Sequence, residues 1–171
     1  MTDAEKTLIP QIAVIPATLE QESILANLLH LYAHDFSEFH NVDLGADGRF
    51  VYADLPLYWS DPDRHPFLIR VGGKLAGFVL VKSSEVSGKI AVWDMAEFFV
   101  VRRYRRHRVG TIIAHQVWRR FPGRWEIRVL DSNLSGHQFW ERAISLFREE
   151  AVPSMRVEKA GKRWRVFSFE S

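Results

Sequence analysis

Apolar positions follow two different periods along this chain, and each period predicts one kind of secondary structure. Runs that are largely apolar, or that alternate with polar residues, predict single strands at 11–18, 90–101 and 124–130. Two longer runs, each interrupted by a turn that contains glycine, predict hairpins at 67–83 and 155–170. The chain therefore supplies enough strands for a substantial sheet.

Three other segments have apolar residues three and four positions apart, which is the spacing of a helix with one buried face. A capping box at 18–21 precedes the first of them. Its apolar residues are Ile24, Leu25, Leu28, Leu29, Tyr32 and Phe36. The other two helices are predicted over 109–121 and 135–147, and the Asp-, Gly- and Pro-rich segment 41–66 predicts a long loop with at most one helical turn.

This order of elements (strand, helix, three strands, helix, strand, helix, two strands) predicts an α/β fold of the mixed, α+β type. A length of 171 residues, with 47% hydrophobic and 26% charged residues, fits one globular domain, here residues 1–171. The chain has no cysteine, which excludes disulfides, thiolate metal sites and a cysteine nucleophile. The sequence has neither a secretory signal pattern nor an apolar run of membrane-spanning length, so we expect a cytoplasmic protein.

Positive charge is concentrated where one predicted strand gives way to a helix. Nine Arg and a single acid, Glu126, lie between Arg102 and Arg128, and five of those Arg fall within 102–108. A helix N-terminus offers unpaired N–H groups, and an Arg side chain near it can donate two parallel hydrogen bonds to phosphate oxygens. With Gly110 allowing close approach of the backbone, the segment suits a pyrophosphate; a solvated basic turn is the alternative interpretation. Neither a P-loop nor a G-x-G-x-x-G pattern is present.

Two motifs in this part of the chain resemble those of the GNAT-type N-acetyltransferases. The first is the apolar triplet FFV at 98–100, followed five residues later by Arg105, which opens the loop RRHRVG. The second is the segment NLSGHQFW, in which Asn133, Gly136 and Trp140 stand at the family's spacing. The order of the elements agrees as well, so the resemblance covers nearly the whole chain.

The resemblance implies a mostly antiparallel sheet flanked by helices and splayed open between the strands at 90–101 and 124–130. It implies an N-acetyltransferase with acetyl-CoA as acyl donor and an amine as acceptor. The pantetheine arm would bond to the main chain, the pyrophosphate would lie on the turn at 105–111, and a bulge in the first strand would widen the opening. The residues implied for acetyl-CoA binding are Phe98, Val100, Arg105, Arg106, His107, Arg108, Val109, Gly110, Thr111, Asn133 and Trp140.

Two residues depart from the family pattern. Arg108 stands where the family has the first glycine of the loop. Because a left-handed conformation costs an L-residue about 1 kcal/mol, we expect Arg108 to be right-handed, with its side chain toward solvent or phosphate. Trp140 stands where the family often has a Tyr that protonates the leaving thiolate, and an indole N–H cannot do so. We expect Trp140 to be mostly buried and to form a wall of the pantetheine tunnel, with simple core packing as the alternative.

Transfer of an acyl group to an amine needs a base, and the carboxylates Asp94 and Glu97 stand within an otherwise apolar strand. In a regular strand, residues three apart face opposite sides, so only one of the two would face the cleft. Asp94 would share a side with Phe98 and Val100, whereas Glu97 would need a bulge to turn inward. An exposed edge or a salt bridge to arginine is the alternative for either carboxylate.

Other features of the sequence point to further functions less strongly. His30, His34 and Asp35 lack a further ligand at matching spacing, so we expect no metal site. Aromatic and acidic residues at 48–67 would suit a cationic amine acceptor or an ordinary surface loop. Two alternatives to the enzyme are an acyl-CoA-binding module that has lost catalysis, suggested by Trp140, and a nucleic-acid-binding domain, for which no motif is present. The sequence leaves the acceptor amine and the oligomeric state open.

Overall fold

The computed structural model describes residues 10–86, 89–105 and 108–171 of the chain, with the backbone alone at 85–86 and 89–90. The strands are β1 (Ile12–Pro16), β2 (Arg64–Val71), β3 (Lys74–Val86), β4 (Lys89–Val100), β5 (Arg124–Leu130), β6 (Ser154–Lys159) and β7 (Lys162–Glu170). The helices are α1 (Glu22–Phe36), α2 (Leu57–Ser60), α3 (Val109–Arg120) and α4 (Leu134–Arg148), with 3₁₀ turns at Leu19–Gln21 and Arg102–Tyr104. The elements follow one another in the predicted order.

The seven strands form one sheet in the order β1-β2-β3-β4-β5-β7-β6. Neighbouring strands are antiparallel except β4 and β5, which run parallel and are in register only at Trp93 with Trp125 and Asp94 with Glu126. Both strands continue past these paired residues, as far as Val100 and Leu130, so the sheet opens between them. The predicted fold class and the splay between these two strands are confirmed.

Helices cover the sheet on both faces, and each helix turns its apolar side toward the strands. Helices α3 and α4 pack on one face, where the buried residues include Ile113, Trp118, Ile127, Ile144 and Phe167. Helix α1 packs on the opposite face, where the buried residues include Leu25, Leu28, Phe78, Leu80 and Phe99. Each such side chain contributes about 1.5–3 kcal/mol by leaving water, so the predicted apolar faces hold the three layers together. None of the described helices is long and apolar enough to cross a membrane, and the cytoplasmic location stays a prediction.

The loop predicted over 41–66 is shorter than expected because β2 begins at Arg64. The hydrophobic pattern did not predict this start, because the first residues of the strand, Arg64 and His65, are polar and are followed by Pro66. Pro66 lies opposite Ala17, just past the end of β1, and its carbonyl accepts from Ala17 N–H at 2.9 Å. Pro66 has no N–H to donate to the Ala17 carbonyl in return, and Trp59 Nε1 donates to that carbonyl instead at 3.0 Å. The single helical turn expected in this segment is α2.

The backbone of β4 lies directly against Gly77 of β3, and this close approach leads to a first prediction. A Cβ at this position would lie 2.0 Å from the carbonyl oxygen of Phe99. Gly77→Ala is therefore expected to lower the free energy of unfolding by about 3 kcal/mol, measured by urea denaturation. Gly73→Ala is the control: it lies in the β2–β3 turn with φ 77° and open space around it, so only about 1 kcal/mol of backbone strain is expected. Equal losses in the two variants would contradict the close-approach explanation.

Candidate active site

A bulge in β4 brings the two candidate carboxylates to the same face of the sheet. Asp94 lies opposite Lys82 on β3, whereas Glu97 lies opposite Leu80, so the register leaves one extra residue of β4, Ala96, between them. Lys82 and Leu80 are two residues apart and share a face of β3. Their partners on β4 therefore share that face as well.

The bulge confirms one expectation and overturns two others. It lies in the first strand of the opening, as the resemblance implied. The expectation that only one carboxylate faces the cleft is wrong, because the extra residue inverts the alternation between Asp94 and Glu97. For the same reason Asp94 does not share a side with Phe98 and Val100, which lie opposite residues of β3 on its other face.

Glu97 is a partly buried carboxylate that two tyrosine hydroxyls hold in place. Tyr52 Oη donates to Glu97 Oε1 at 3.1 Å, and Tyr32 on α1 donates to the same carboxylate. Burial raises the pKa of Glu97 above its ordinary value; the tyrosine hydrogen bonds oppose this rise, and the nearby charge of Asp94 adds to it. Burial and the charge of Glu97 raise the pKa values of both tyrosines, so they remain protonated donors at neutral pH. Glu97 makes no ion pair with any residue that the structure describes.

Asp94 is more deeply buried, with 7% of its surface exposed, and two cations neutralise it. Arg128 Nη2 donates to Asp94 Oδ2, and Lys82 Nζ lies 3.8 Å from the same oxygen. Burial raises the pKa of Asp94 above its ordinary value, and the charges of Arg128 and Lys82 offset part of the rise. Because these partners stabilise its ionised form, Asp94 is less suited than Glu97 to take up a proton.

Both carboxylates line a cleft of about 790 Å³ that also reaches β5, the first turn of α3 and the start of α4. An aromatic cluster lines another part of it. The Trp140 ring lies 5.0 Å from that of Phe98 and 4.8 Å from that of Phe139, measured between centroids. Trp140 is 8% exposed, which confirms its predicted burial.

The main chain at the end of β4 also faces the opening. Val101 N–H donates to the carbonyl of Ala76 on β3 at 2.8 Å. Because backbone groups alternate in direction along a strand, the N–H and C=O of Phe98 and Val100 point away from β3 and toward the gap. One of them already has a partner in the protein, since Arg105 Nε donates to Val100 O at 2.7 Å.

Helix α3 begins directly after Arg108, whose backbone is left-handed with φ 57°. The expectation of a right-handed conformation is wrong. Val109 must enter the core, where it is 4% exposed, and burying it outweighs about 1 kcal/mol of local strain. The Arg108 side chain is exposed, as expected, and its carbonyl accepts the first helical bond from Ile112 N–H at 3.0 Å. Arg106 and His107 lie outside the described residues.

The backbone N–H groups in the first turn of α3 have no acceptor among the described residues, and Gly110 of this turn lines the cleft. The N–H groups of Val109, Gly110 and Thr111 have no acceptor within the helix, since Ile112 is the first residue to bond backward. A Cβ at Gly110 would lie 3.0 Å from the Phe139 ring. Glycine at this position thus lets the aromatic wall pack directly against the helix start.

Asp35, at the end of α1, binds two of the arginines in the basic turn. Arg102 Nη2 donates to Asp35 Oδ1 at 2.7 Å, and Arg105 Nη2 donates to Asp35 Oδ2 at 2.6 Å. Partial burial would raise the pKa of Asp35, but the hydrogen bonds from these arginines hold it below its ordinary value. Two of the arginines that the sequence analysis predicted to bind a phosphate therefore connect the basic turn to α1. Only the tertiary fold brings these residues together.

Asn133 has a structural role that its spacing did not reveal. It is the N-cap of α4, and its Oδ1 accepts from Gly136 N–H at 2.8 Å. The cap fixes where α4 begins, and hence where Trp140 enters the cleft wall. Asn133 also lines the cleft.

The loop expected to surround the acceptor contributes less than its composition suggested. Arg64 pairs with Asp54 at 3.7 Å and with Asp61 at 3.2 Å, and Asp63 accepts from Ser83 Oγ at 3.0 Å. These carboxylates do not line the cleft, and from the described part of this loop only Tyr52 does.

Sequence reasoning also missed Lys82 and Arg128 as members of the site. Both line the cleft and both contact Asp94. Lys82 could have been found as a charged residue that follows the apolar run FVLV, whereas Arg128 stands in a strand that alternates charged and apolar residues and carried no such signal.

The sequence cluster of His30, His34 and Asp35 is engaged in other contacts. His30 Nδ1 accepts from Phe50 N–H at 3.2 Å, and Asp35 binds the two arginines. Across residues 10–86, 89–105 and 108–171, no three His, Cys, Asp or Glu side chains gather closely enough to hold a metal ion.

Solved structures share this architecture at low sequence identity. An acetyltransferase from Thermus thermophilus superposes with a TM-score of 0.65 at 16% identity, covering 95% of this chain and 99% of its own. Arabidopsis thaliana NAA60 in complex with acetyl-CoA gives 0.60 at 13% identity, covering 94% and 98%. The aminoglycoside acetyltransferase AAC(6')-Ib in complex with coenzyme A gives 0.67 at 11% identity, covering 94% and 95%. These likenesses show a common fold.

No curated protein matches the chain significantly in sequence. The model of the acetyltransferase (GNAT) family, however, matches residues 25–144, from the first turn of α1 to the last third of α4. The matched span contains the bulged strand, the basic turn, the capped helix and the opening between β4 and β5. With that match over more than half of its length, the chain belongs to the acetyltransferase (GNAT) family.

Proposed function

We propose that this protein is an N-acetyltransferase that moves an acetyl group from acetyl-CoA to an amine. One observation carries the proposal: in a chain of this family, the bulge of β4 turns Glu97 into the cleft where β4 and β5 part. Glu97 is a partly buried carboxylate that has no ion-pair partner among the described residues. A base in that place is what an acceptor ammonium needs before it can attack.

Main-chain and helix-end groups of the cleft suit a donor with amides and phosphates. The backbone of Phe98 and Val100 faces the gap and would pair with the amides of a pantetheine arm, as an added strand does. The N–H groups of Val109, Gly110 and Thr111, which have no acceptor among the described residues, would receive pyrophosphate oxygens. When bound there, acetyl-CoA supplies an activated acyl group with a thiol as leaving group.

Glu97 is the proposed general base. Burial raises its pKa, so the carboxylate takes a proton more readily than one in water, while the hydroxyls of Tyr32 and Tyr52 keep it oriented. In the reaction, the amine nitrogen forms a bond to the acyl carbon as the carbon–sulfur bond breaks. Before the attack, the acceptor ammonium gives one proton to Glu97, which passes it to solvent. After the attack the nitrogen loses a second proton to water, and the thiolate takes one proton from water. Asp94, paired with Arg128 and Lys82, acts as a fixed charge rather than a base.

Trp140 shapes the donor side of the cleft and does not act as an acid. Its ring is packed among Phe98, Phe139 and Trp118, so it limits the width of the opening. The absence of a tyrosine at this position keeps a second candidate in view, a module that binds acyl-CoA without transferring the acyl group. The two candidates differ in thiol release.

Acetyl-CoA is expected to stabilise the protein, and its binding is a direct test. At 100 times its dissociation constant it should add about 2.7 kcal/mol to the free energy of unfolding, seen as a rise in Tm. Gly110→Glu should abolish the shift, because its side chain meets Phe139 and repels phosphate. Ala46→Glu, which adds the same charge in an exposed loop, is the control.

Release of free thiol in the presence of an amine panel then separates the enzyme from the binding module. An enzyme releases thiol in proportion to the acetylated amine formed. A folded protein that shows no Tm shift with millimolar acetyl-CoA would overturn the proposal. A shift without amine-dependent thiol release from any primary amine would favour the binding module.

A further inference from the structure

Two cations in the cleft converge on a single carboxylate oxygen. Arg128 Nη2 donates to Asp94 Oδ2, and Lys82 Nζ lies 3.8 Å from that same atom. The Asp94 side chain is 10% exposed, whereas those of Lys82 and Arg128 are 35% and 40% exposed, so the cations form the solvent-facing side of the cluster. One buried negative charge is thus covered by two accessible positive charges.

The cluster carries one positive charge more than Asp94 neutralises. Among the described residues, neither the Lys82 side chain nor the Arg128 side chain makes a hydrogen bond or ion pair with any group other than Asp94. The guanidinium of Arg128 has five N–H donors, and only the Nη2 group is used. Because Arg128 lines the cleft and its side chain is 40% exposed, the remaining donors are available to a ligand anion there.

Glu97, the second carboxylate of the cleft, lies a short distance from the cluster of Asp94, Lys82 and Arg128. Lys82 and Leu80, the β3 partners of Asp94 and Glu97, are two residues apart on one strand, a separation of about 6.6 Å. Glu97 supplies one negative charge when ionised. The cleft therefore offers a negative group and a net positive group within the span of a small zwitterion.

We propose that the acceptor amine carries a carboxylate a few bonds from its nitrogen, as in an amino acid. This inference rests on the proposed function and specifies its substrate class. The acceptor ammonium lies at Glu97, and its carboxylate bonds to the unused donors of Arg128 with Lys82 beside it. The surplus of one positive charge matches a carboxylate, whereas a phosphate dianion would bring an uncompensated charge next to Asp94 and Glu97.

Matched pairs of amines that differ only in the carboxylate test the inference. Lysine with cadaverine, phenylalanine with phenethylamine, and β-alanine with ethylamine are compared by thiol release at fixed acetyl-CoA, with phosphoethanolamine as the phosphate analogue of β-alanine. Since hydrogen bonds to charged groups are involved, at least one carboxylated member is expected to exceed its partner about 10- to 100-fold in kcat/KM.

Two variants examine the cations separately. Lys82→Gln removes the surplus charge while keeping the Asp94–Arg128 pair, and it should lower the preference for the carboxylated amine about tenfold, mainly through KM. Arg128→Lys keeps the charge but loses the planar fork, and it should lower the same preference. Arg124→Gln is the control. It removes one positive charge from β5, the strand of Arg128, but outside the cleft, and it should leave the preference unchanged.

The outcomes separate this inference from the proposed function. Equal or higher kcat/KM for every decarboxylated partner, or the highest value for phosphoethanolamine, would overturn the carboxylate assignment while leaving acetyl transfer intact. If no amine releases thiol, the same pairs are compared as ligands by their effect on Tm in the presence of coenzyme A. Greater stabilisation by carboxylated members that Lys82→Gln abolishes would then support the site, and equal effects would overturn it.

Discussion

Glu97→Gln is expected to lower kcat by about 10²- to 10⁴-fold, the usual contribution of a general base, with little change in KM for acetyl-CoA. Gln keeps the size and the hydrogen-bonding reach of Glu, so Tyr32 and Tyr52 still have a partner at this position. It cannot take the proton of the acceptor ammonium. The loss is therefore expected in the chemical step, and steady-state kinetics with a saturating amine would measure it.

The pH profile and Asp94→Asn provide the comparison. The wild-type kcat/KM should rise with pH through the raised pKa of Glu97, and this limb should disappear in Glu97→Gln. Asp94→Asn should keep the limb, since Asp94 is already paired with Arg128 and Lys82. If both variants retain full activity and the wild-type profile, neither carboxylate is the base.

The same substitution has an expected effect on stability, and its sign follows from the pKa. The pKa of Glu97 is higher in the folded state than in the unfolded chain. The contribution of Glu97 to the free energy of unfolding is therefore fully present at a pH below its unfolded pKa, and it is lost as the pH rises through its folded pKa. Gln does not ionise and has no such loss. Glu97→Gln should therefore become more stable than the wild type as pH rises to neutral, and the difference should vanish in acid. Urea denaturation at several pH values measures it.

Trp140→Ala is expected to lower the free energy of unfolding by about 3–5 kcal/mol. The ring is 8% exposed and packs against Phe98, Phe139 and Trp118 at centroid distances of 5.0, 4.8 and 6.3 Å. Removing it leaves a cavity where two helices and the sheet meet. Because Phe139 also packs against the first turn of α3, affinity for acetyl-CoA should fall as well.

Trp140→Tyr and Trp140→Phe are the controls, since both keep an aromatic ring. They should be milder than Ala and similar to each other in stability and turnover, if the residue acts as a wall. A Tyr variant much more active than the Phe variant at matched stability would instead reveal that a missing acid limits the wild type. Unchanged folding and affinity in Trp140→Ala would show that the ring is dispensable.

Local sequence was sufficient for most elements of this fold. The spacing of Leu25 and Leu28 on α1, and of Ile113 on α3, predicted which helix faces are buried, because a 3.6-residue period depends only on neighbouring residues. The family resemblance, through the spacing of Asn133 and Trp140, placed α4 against the opening, whereas the capping role of Asn133 emerged only from the structure. The opening itself came from the resemblance rather than from periodicity.

Tertiary structure decided the details that give the cleft its chemistry. The extra residue of β4 becomes visible only when β4 is aligned with β3. It places Asp94 and Glu97 on the same face of the sheet, whereas a regular strand would place them on opposite faces. The left-handed Arg108 reflects the need to bury Val109, an energy larger than the local preference.

Long-range pairing decided the electrostatics in the same way. Lys82, Asp94 and Arg128 come from three strands, and Asp35 reaches the basic turn from α1. The sequence by itself determined the helices, the strands and the presence of charge in apolar segments, because these follow from local periods. Which charges neutralise one another, and which remain available to a ligand, depended on distances between residues far apart in the chain, and only folding sets those distances.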